Sequence, residues 1–584
     1  MNDRLTKQLF MSNFFVTFLG MLVASLGLLA DGIIVNRFYG ADAMASYGFV
    51  MPLMIAAAAL GSMLTSGIQS TIGKSMIRGD RDATNGYFSL AILMGVIVSA
   101  VILVLVLGFP AQVLKVLRLP RENSLFPDAR DYMLGSAVSY LFIILISAVQ
   151  PVIMLLGKRK VVYVSVLLML FVNVVGDLGS VFLHVGMVGI GLATTLSYLA
   201  GFLIMMACLL KEGSLFRFSV RHVKGKTREL LMFGMPSGVQ KIANSLRIAV
   251  LNGLLLAIST RAAVSALTVT FNISNIIGNV VVAGGSTVLM LASIYNGDGD
   301  DISLKKTYKI AVTQMLLING VIALAVFVLA RPIVSVYCKQ ADQIPLTVTS
   351  LRWFVTSMPL FGMNIVWIRF LQASGRLMLS TILNVCDNFV YVILAAYVLS
   401  RPFGVNGVWA AFLACEVMMT ITLFICAFKH AGRVSLRTDD LIMLSSDMAA
   451  KQGRHLEQTI TDVQDVVNFS EKVYALGHEM GLTGRSVMLM SLCVEELASY
   501  TIEKGFQDGK KHSIDARVVI DDSSWKISLR DDCQPMNPQD QIQMFSPEDD
   551  VDNIGLRIVY GCIKDISYSN TMKMNHLVLR LSFE

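Results

Sequence analysis

Long uncharged stretches separated by short charged loops fill the first three quarters of the chain. The runs Gln8–Ala30, Ala43–Gly73, Gly86–Leu114, Tyr132–Gly157, Leu178–Leu210, Ala262–Gly297 and Ile310–Ala330 hold no acidic or basic residue. About 20 apolar residues cross a bilayer as a helix, and each of these runs is long enough. Other apolar runs are interrupted by ionisable residues: around Asp177, around Lys241 and Arg247, around Asp387 and around Glu416. With Trp353–Ile368, the pattern predicts about twelve transmembrane helices ending near Phe428.

The pattern then changes. Residues 430–452 are polar and read as a linker. Helical spacing follows in Thr461–Met480 and Arg485–Phe506, then alternation in Ser513–Ile520, Trp525–Arg530 and His576–Phe583. Period-2 alternation of apolar and polar residues is the mark of a half-buried strand. The expectation is a polytopic α-helical membrane protein with a C-terminal α/β sandwich domain. Its units are 1–211 and 230–429 as six-helix lobes, 212–229 as the loop between them, 430–452 as linker and 453–584 as the soluble domain.

Composition agrees with a membrane chain. Only 15% of residues are charged and 55% are hydrophobic, against roughly a quarter charged in soluble domains. The first apolar run is too long for a cleaved signal peptide and is expected to be retained. The eight cysteines form no CxxC pair, which argues against a zinc or redox motif. A net charge of +7 does not indicate nucleic acid here, because the basic residues sit in short loops. Lys74, Arg78 and Arg81 occupy one loop, Lys158, Arg159 and Lys160 another, and Lys211–Glu229 carries five more. These loops fall on one side. The positive-inside rule makes that side the cytoplasm, with both termini there and the chain in the cell membrane. The opposite loop with Lys115, Arg118, Arg121 and Arg130 runs against the rule, although three acids accompany it.

Charges at membrane depth point to chemistry. A charged side chain there costs roughly 2.5–3.5 kcal/mol on insertion scales, so it usually faces protein or a wet cavity. Asp31, in Ala30-Asp31-Gly32, is the leading cation or proton site; the alternative is a cap at headgroup level. Asp177, Asp387 and Glu416 are further acids, and Lys241 and Arg247, six apart and so expected on different faces of one helix, are bases. Buried ions usually pair, so these bases either neutralise acids or serve transport. A basic pair facing a cavity would suit an anionic substrate. Gln240, Asn244, Asn272, Asn275, Asn279 and Asn364 are cavity donors or interhelical bonds. Gly67–Ser75 resembles a phosphate loop but has one residue too many between its glycines and ends a membrane span.

The membrane part looks duplicated. At an offset of 218 residues Gly79 matches Gly297, Asp80 matches Asp298, Asp82 matches Asp300, Gly157 matches Gly375 and Gly186 matches Gly404. An even number of spans per half makes the halves parallel repeats, which place a substrate cavity between two lobes. Ala30-Asp31-Gly32, Arg78-Gly79-Asp80, Asn296-Gly297-Asp298 and the stretch from Asn173 through Asp177 to Thr194 resemble the multidrug and toxic compound extrusion (MATE) transporters. The resemblance covers about residues 1–430. It implies efflux of organic cations or amphipathic compounds in exchange for protons or sodium, with Asp31 as the first-helix carboxylate; Asn173, Asp177, Asp387, Lys241 and Arg247 are the further candidate transport residues. Flippases for lipid-linked precursors belong to the same superfamily and are the alternative.

The C-terminal segment resembles the histidine-kinase-like ATPase fold (GHKL type), in its anti-sigma-factor branch. The residues are Glu495-Glu496 through Phe506, Ile527 through Pro538, and Asn553-Ile554-Gly555-Leu556. The resemblance implies Glu496 as the activating base, Asp531 as the reader of the adenine amino group, Gly555 at the phosphate and ATP as ligand. Tyr500 stands where a magnesium-holding Asn belongs, and Cys533, Pro535 and Asn553 replace glycines. A transporter with a regulatory tail, addressed by a cytoplasmic protein, is therefore favoured over an enzyme. The competing reading is a membrane sensor whose tail is a serine kinase.

Overall fold

The computed structural model describes residues 4–582 except 118, 212–222, 224, 259–260, 338–342, 444–454, 510, 521–523, 538–553, 564 and 573. The inter-lobe loop with Arg217, Arg221 and Lys224, most of the linker, and Asn553 of the phosphate loop lie outside the described residues. The first lobe contains α1 (Arg4–Ile34), α2 (Ala41–Ile77), α3 (Arg81–Gly108), α4 (Phe126–Gly135), α5 (Ser139–Leu155), α6 (Arg159–Phe182) and α7 (Met187–Lys211). The second contains α8 (Thr227–Ile258), α9 (Arg261–Ile277), α10 (Asn279–Asp298), α11 (Asp301–Val328), α12 (Gln343–Ala373), α13 (Leu377–Phe403) and α14 (Val405–Ala431).

Among the described residues ten helices are long and apolar enough to cross a membrane, or eleven if α4 and α5, which meet at 43°, form one bent span. The chain is a multi-pass membrane protein. Two expectations change. The uncharged run Ala262–Gly297 is two helices, because the chain breaks at Gly278. The ionisable residues of α8 keep that helix out of the ten although it is 32 residues long. Apolar patterning alone cannot separate one long span from two collinear helices.

The internal repeat is real in local geometry but shifts in register. Gly79 (φ +70°) and Gly299 (φ +72°) end α2 and α10 in the left-handed region that glycine adopts without a Cβ penalty. The next residues, Asp80 and Asp300, then cap α3 and α11 by accepting the N–H of Ala83 (2.8 Å) and Ser303 (3.0 Å). Gly79 therefore pairs with Gly299 and Asp80 with Asp300, two residues beyond the expected register. The offset of 218 returns at Gly157 and Gly375, both with positive φ. The ungapped alignment was wrong at this first loop, since any run of Gly and Asp matches at several offsets.

Both lobes carry a π-helical turn at a functional depth, Val35–Tyr39 just after Asp31 and Cys386–Val390 within α13. Such turns recur at functional sites because they re-aim side chains without ending the helix. The second turns Asp387 and Asn388 inward.

On one end the lobes pack tightly. A Cβ on Gly67 would lie 2.6 Å from the Leu230 carbonyl oxygen, and one on Gly234 would lie 2.3 Å from that of Met63. A Cβ on Gly297 would meet the Lys74 backbone at 2.9 Å. Arg78 Nε donates to the Gly297 carbonyl at 2.8 Å, and Gln69 donates to Ser286 at 2.9 Å. This end also carries the C-terminal region.

That region is a five-stranded antiparallel sheet in the order β1-β2-β3-β5-β4: β1 (His455–Ile460), β2 (Ile514–Ile520), β3 (Ser524–Asp531), β4 (Asp565–Thr571) and β5 (Met574–Ser582). Helices α15 (Val463–Glu479), α16 (Gly484–Gly505) and α17 (Ile554–Cys562) complete it. Strands β1 and β4 escaped sequence reading. Their residues are half-buried throughout, so no alternation showed. Ile514, Ala516, Val518, Trp525, Ile527 and Leu579 join the helices in a buried apolar cluster. The intervening residues point to the opposite face of the sheet, which lies on the membrane helices.

Candidate functional site

A cavity of about 530 Å³ lies between the lobes. Asp31 and Asn173 line it from the first lobe, Lys241, Arg247 and Arg369 from the second. Pockets of a few hundred Å³ suit one drug-sized molecule.

Asp31 is 3% exposed and reaches the cavity through the gap at Gly27, where α1 approaches Asn173 of α6. Asp177 is fully buried behind it and electrostatically coupled to it. Both Asp177 carboxylate oxygens and Asp31 Oδ1 lack a hydrogen-bond partner. Buried carboxyl oxygens with no partner are costly, and an ion or proton between them is the usual remedy. The sequence placed Asp31 on one segment and Asn173 and Asp177 on another; the packing of α1 on α6 brings them together.

In the second lobe Asp387, Cys415 and Glu416 lie buried with their ligand atoms within 4.8 Å of one another. Asn364 donates to Glu416 at 2.8 Å, and Arg247 is the cation acting on both acids. Lys241 and Arg247 were expected on different faces of α8, yet both line the one cavity. Ser237, Gln240, Lys241, Asn244, Arg247 and Ile248 line it at helical spacing, so the two bases stand at opposite edges of one broad face of α8.

Arg369 was missed. It is 7% exposed in α12 and donates to Ser237, Gln240 and Gln372, the last at 2.8 Å. It follows Ile368, where the predicted span ended, and so fell outside the residues weighed as intramembrane charges.

A second polar cluster joins the tail to the second lobe. Arg517 pairs with Asp300 (2.7 Å) and Asp301 (3.0 Å), and Lys526 with Asp298 (2.6 Å). Arg530, 7% exposed, pairs with both Asp298 and Asp300. Burial alone would raise the Asp300 carboxyl; Arg530 and Arg517 hold it below the usual range. Burial pushes the His576 imidazole down to about 3 despite Asp298 beside it. Glu457 is pushed up to about 7, by burial first and by Asp300 next, with Arg517 opposing. The first lobe is held differently. Met572, at φ +60° in the β4–β5 turn and fully buried, donates its N–H to the Leu155 carbonyl at 2.7 Å. Arg159 donates to the Met572 carbonyl at 3.3 Å.

Within the tail, Glu496 and Gly555 are neighbours: a Cβ on Gly555 would meet the Glu496 carboxyl at 2.0 Å. Asp531 accepts from Asn575 at 2.7 Å and from the Cys533 N–H at 3.0 Å, and burial pushes its carboxyl up. Tyr500 is buried in the tail core.

A bundle of membrane-crossing helices that encloses a polar cavity between two repeats is a transporter architecture. The MatE family model matches residues 17–179 and 236–398, one match per lobe, and the chain belongs to that family. The multidrug export protein MepA of Staphylococcus haemolyticus is 23% identical over 435 residues, which are 73% of this chain and 94% of that protein. A multidrug resistance MATE family transporter of the MOP superfamily in an outward-facing conformation superposes with a TM-score of 0.67 at 18% identity, covering 71% of this chain and 94% of that one. A mutant of the Vibrio cholerae MATE transporter VcmN gives 0.69 at 16% identity, covering 76% and 99%. The family match ends at residue 398, and these matches do not identify the C-terminal sheet region.

Proposed function

We propose that this protein is a secondary exporter that expels cationic or amphipathic small molecules in exchange for protons or sodium. Two six-helix parallel lobes, 1–211 and 230–429, would move against each other around the cavity, with the charged loops and both termini in the cytoplasm. The observation that carries the reading is Asp31, a carboxyl at the wall of an inter-lobe cavity with an unpartnered oxygen. Together with Asp177 and Asn173 it forms an exchange site: a proton or sodium ion taken up there weakens a bound organic cation by removing its counter-charge. Asp387 and Glu416 lie at the opposite wall with Arg247 as the cation acting on both. The identity of MepA as a multidrug exporter supports the substrate class.

Dye transport in membrane vesicles under an imposed proton gradient, then a sodium gradient, tests this. Coupled efflux by the parent protein that is lost in Asp31→Asn is the expected result; gradient-driven efflux undiminished in that variant defeats it.

The tail is regulatory in this reading. Its sheet holds Asp298, Asp300 and Asp301 of the second lobe while its β4–β5 turn holds Leu155 and Arg159 of the first. A body fastened to both lobes on one side resists their separation on that side. Glu496, Asp531 and Gly555 are the residues that would address a nucleotide such as ATP. Labelled ATP binding to the full chain, abolished in Asp531→Ala, supports a nucleotide site; absence of saturable binding removes it.

A further inference from the structure

Two cations on the second-lobe wall have no anion. Arg369 is 7% exposed, lines the cavity and gives its hydrogen bonds to Ser237, Gln240 and Gln372, all neutral. Lys241 follows Gln240 in α8, opens onto the same cavity, and Arg369 is the charge that acts on it. Among the described residues no carboxylate lies within 4.0 Å of either group, the distance that defines every ion pair found elsewhere in the chain. Arg247 is the cation acting on Asp387 and Glu416 in the second lobe, and Asp31 stands on the opposite wall with Asp177, within ion-pair distance of neither Lys241 nor Arg369.

Removing a guanidinium from water costs several kcal/mol, and neutral acceptors return only part of it. Repulsion from a nearby ammonium adds to that cost. Arg369 is buried for a purpose other than stability, Lys241 opens onto the cavity beside it, and the open space in front of them is where a counter-ion fits. Arg presents a planar fork of donors matched to carboxylate, sulfonate or phosphate, and Lys adds a mobile point charge. The cavity lining also includes apolar residues, Met21, Val282 and Phe361 among them.

The geometry points to an anion-binding subsite formed by Lys241 and Arg369. This deepens the export reading and rests on it: the preferred substrate is an amphiphile that carries a carboxylate, sulfonate or phosphate. A cationic group on the same molecule lies toward Asp31, so the cavity suits zwitterions. The anionic group belongs either to a soluble compound or to a lipid headgroup, and the chemistry of recognition is the same.

Rhodamine B, which has a free carboxylate, and its ethyl ester, which does not, share one cationic ring system. Binding of both to the full-length chain in phosphatidylcholine nanodiscs is measured by fluorescence anisotropy. The acid is expected to bind about tenfold tighter than the ester, the worth of one charge-assisted hydrogen bond. Lys241→Gln and Arg369→Gln are each expected to erase that preference while leaving ester affinity within about threefold. Should Arg369→Gln fail to fold, Lys241→Gln, whose side chain lies open in the cavity, decides alone. Equal binding of acid and ester by the parent protein, or a preference that survives in Lys241→Gln, overturns the subsite and leaves the export reading standing. No binding of either dye overturns both. Displacement of rhodamine B by phosphatidylglycerol in the nanodisc assigns the subsite to lipid headgroups; indifference to it assigns the subsite to soluble amphiphiles.

Discussion

Arg530 of the tail sheet and Asp300 at the start of α11 are ion-paired, and both are almost fully buried. Asp300 does two jobs: it caps α11 and it receives two arginines from a domain more than 200 residues further along the chain. Asp80, its counterpart in the first lobe, caps α3 in the same way, and Ser567 of the tail lies near Gly79 of that loop.

Removing Arg530 would leave Asp298 and Asp300 under-compensated in a dry interface. Breaking a buried pair by deleting one partner costs about 3–5 kcal/mol. Arg530→Ala is expected to release the tail, seen as faster amide exchange in β2 and β3 and faster proteolysis between residues 444 and 454. The double variant with Asp300→Asn should lose less than the sum of the two single changes. Unchanged exchange in Arg530→Ala refutes the docking role.

Glu457 should weaken docking as the medium becomes more alkaline. The Glu457 carboxyl is raised to about 7 from its ordinary 4.5. A carboxyl raised in the docked state binds more protons there, so the Glu457 contribution to docking is full below its free value and declines as pH climbs through about 7, while His576, held down to about 3, opposes docking below its ordinary 6.5. Glu457→Gln is expected to flatten tail exchange between pH 5 and pH 8, a range that brackets the titration near 7, and to tighten docking at the upper end by roughly 1–2 kcal/mol. The same slope in parent and variant would remove Glu457 from the account.

Asp31→Asn keeps the shape of the cavity wall and deletes its titratable group. Gradient-driven dye efflux should fall on the order of tenfold or more, and equilibrium binding of a cationic dye should weaken and lose its pH dependence, because the counter-charge that a proton would cancel is gone. Equal loss in the double variant with Asp177→Asn would show that the two acids act as one unit.

Gly234→Ala tests the seal between the lobes. Its Cβ would stand 2.3 Å from the Met63 carbonyl oxygen, which is backbone and cannot swing away. Overpacking of this kind costs about 1–3 kcal/mol. The lobes should part on the tail side, making a cysteine introduced at Ser66 reactive to a tail-side thiol reagent. A Ser66→Cys protein equally protected with and without Gly234→Ala would sink this view of the seal.

Much of this was legible in the chain, and the misses share a cause. Asp31, Asn173 and Lys241 were named from the sequence and line the cavity, since a charge or amide in an apolar run is conspicuous. Arg369 was passed over because it stands at the end of an apolar run, where loop and membrane charges look alike. Asp298 and Asp300 were noticed only as markers of the repeat; nothing local says that Arg517, Lys526 and Arg530 would reach them.

By itself the sequence determined that the chain lives in a bilayer as many helices, that it repeats, and that a soluble domain with α/β patterning follows. These are local matters: twenty apolar residues, a glycine before an aspartate, an alternating strand each state their preference within a few neighbours. Tertiary structure decided which charges meet. It set Asp177 behind Asp31, gave Arg247 to the acids and left Lys241 with Arg369, and laid a basic sheet face on an acidic loop. Electrostatic energy depends on distance and burial across the fold, and neither is written in the spacing of residues along one strand or helix.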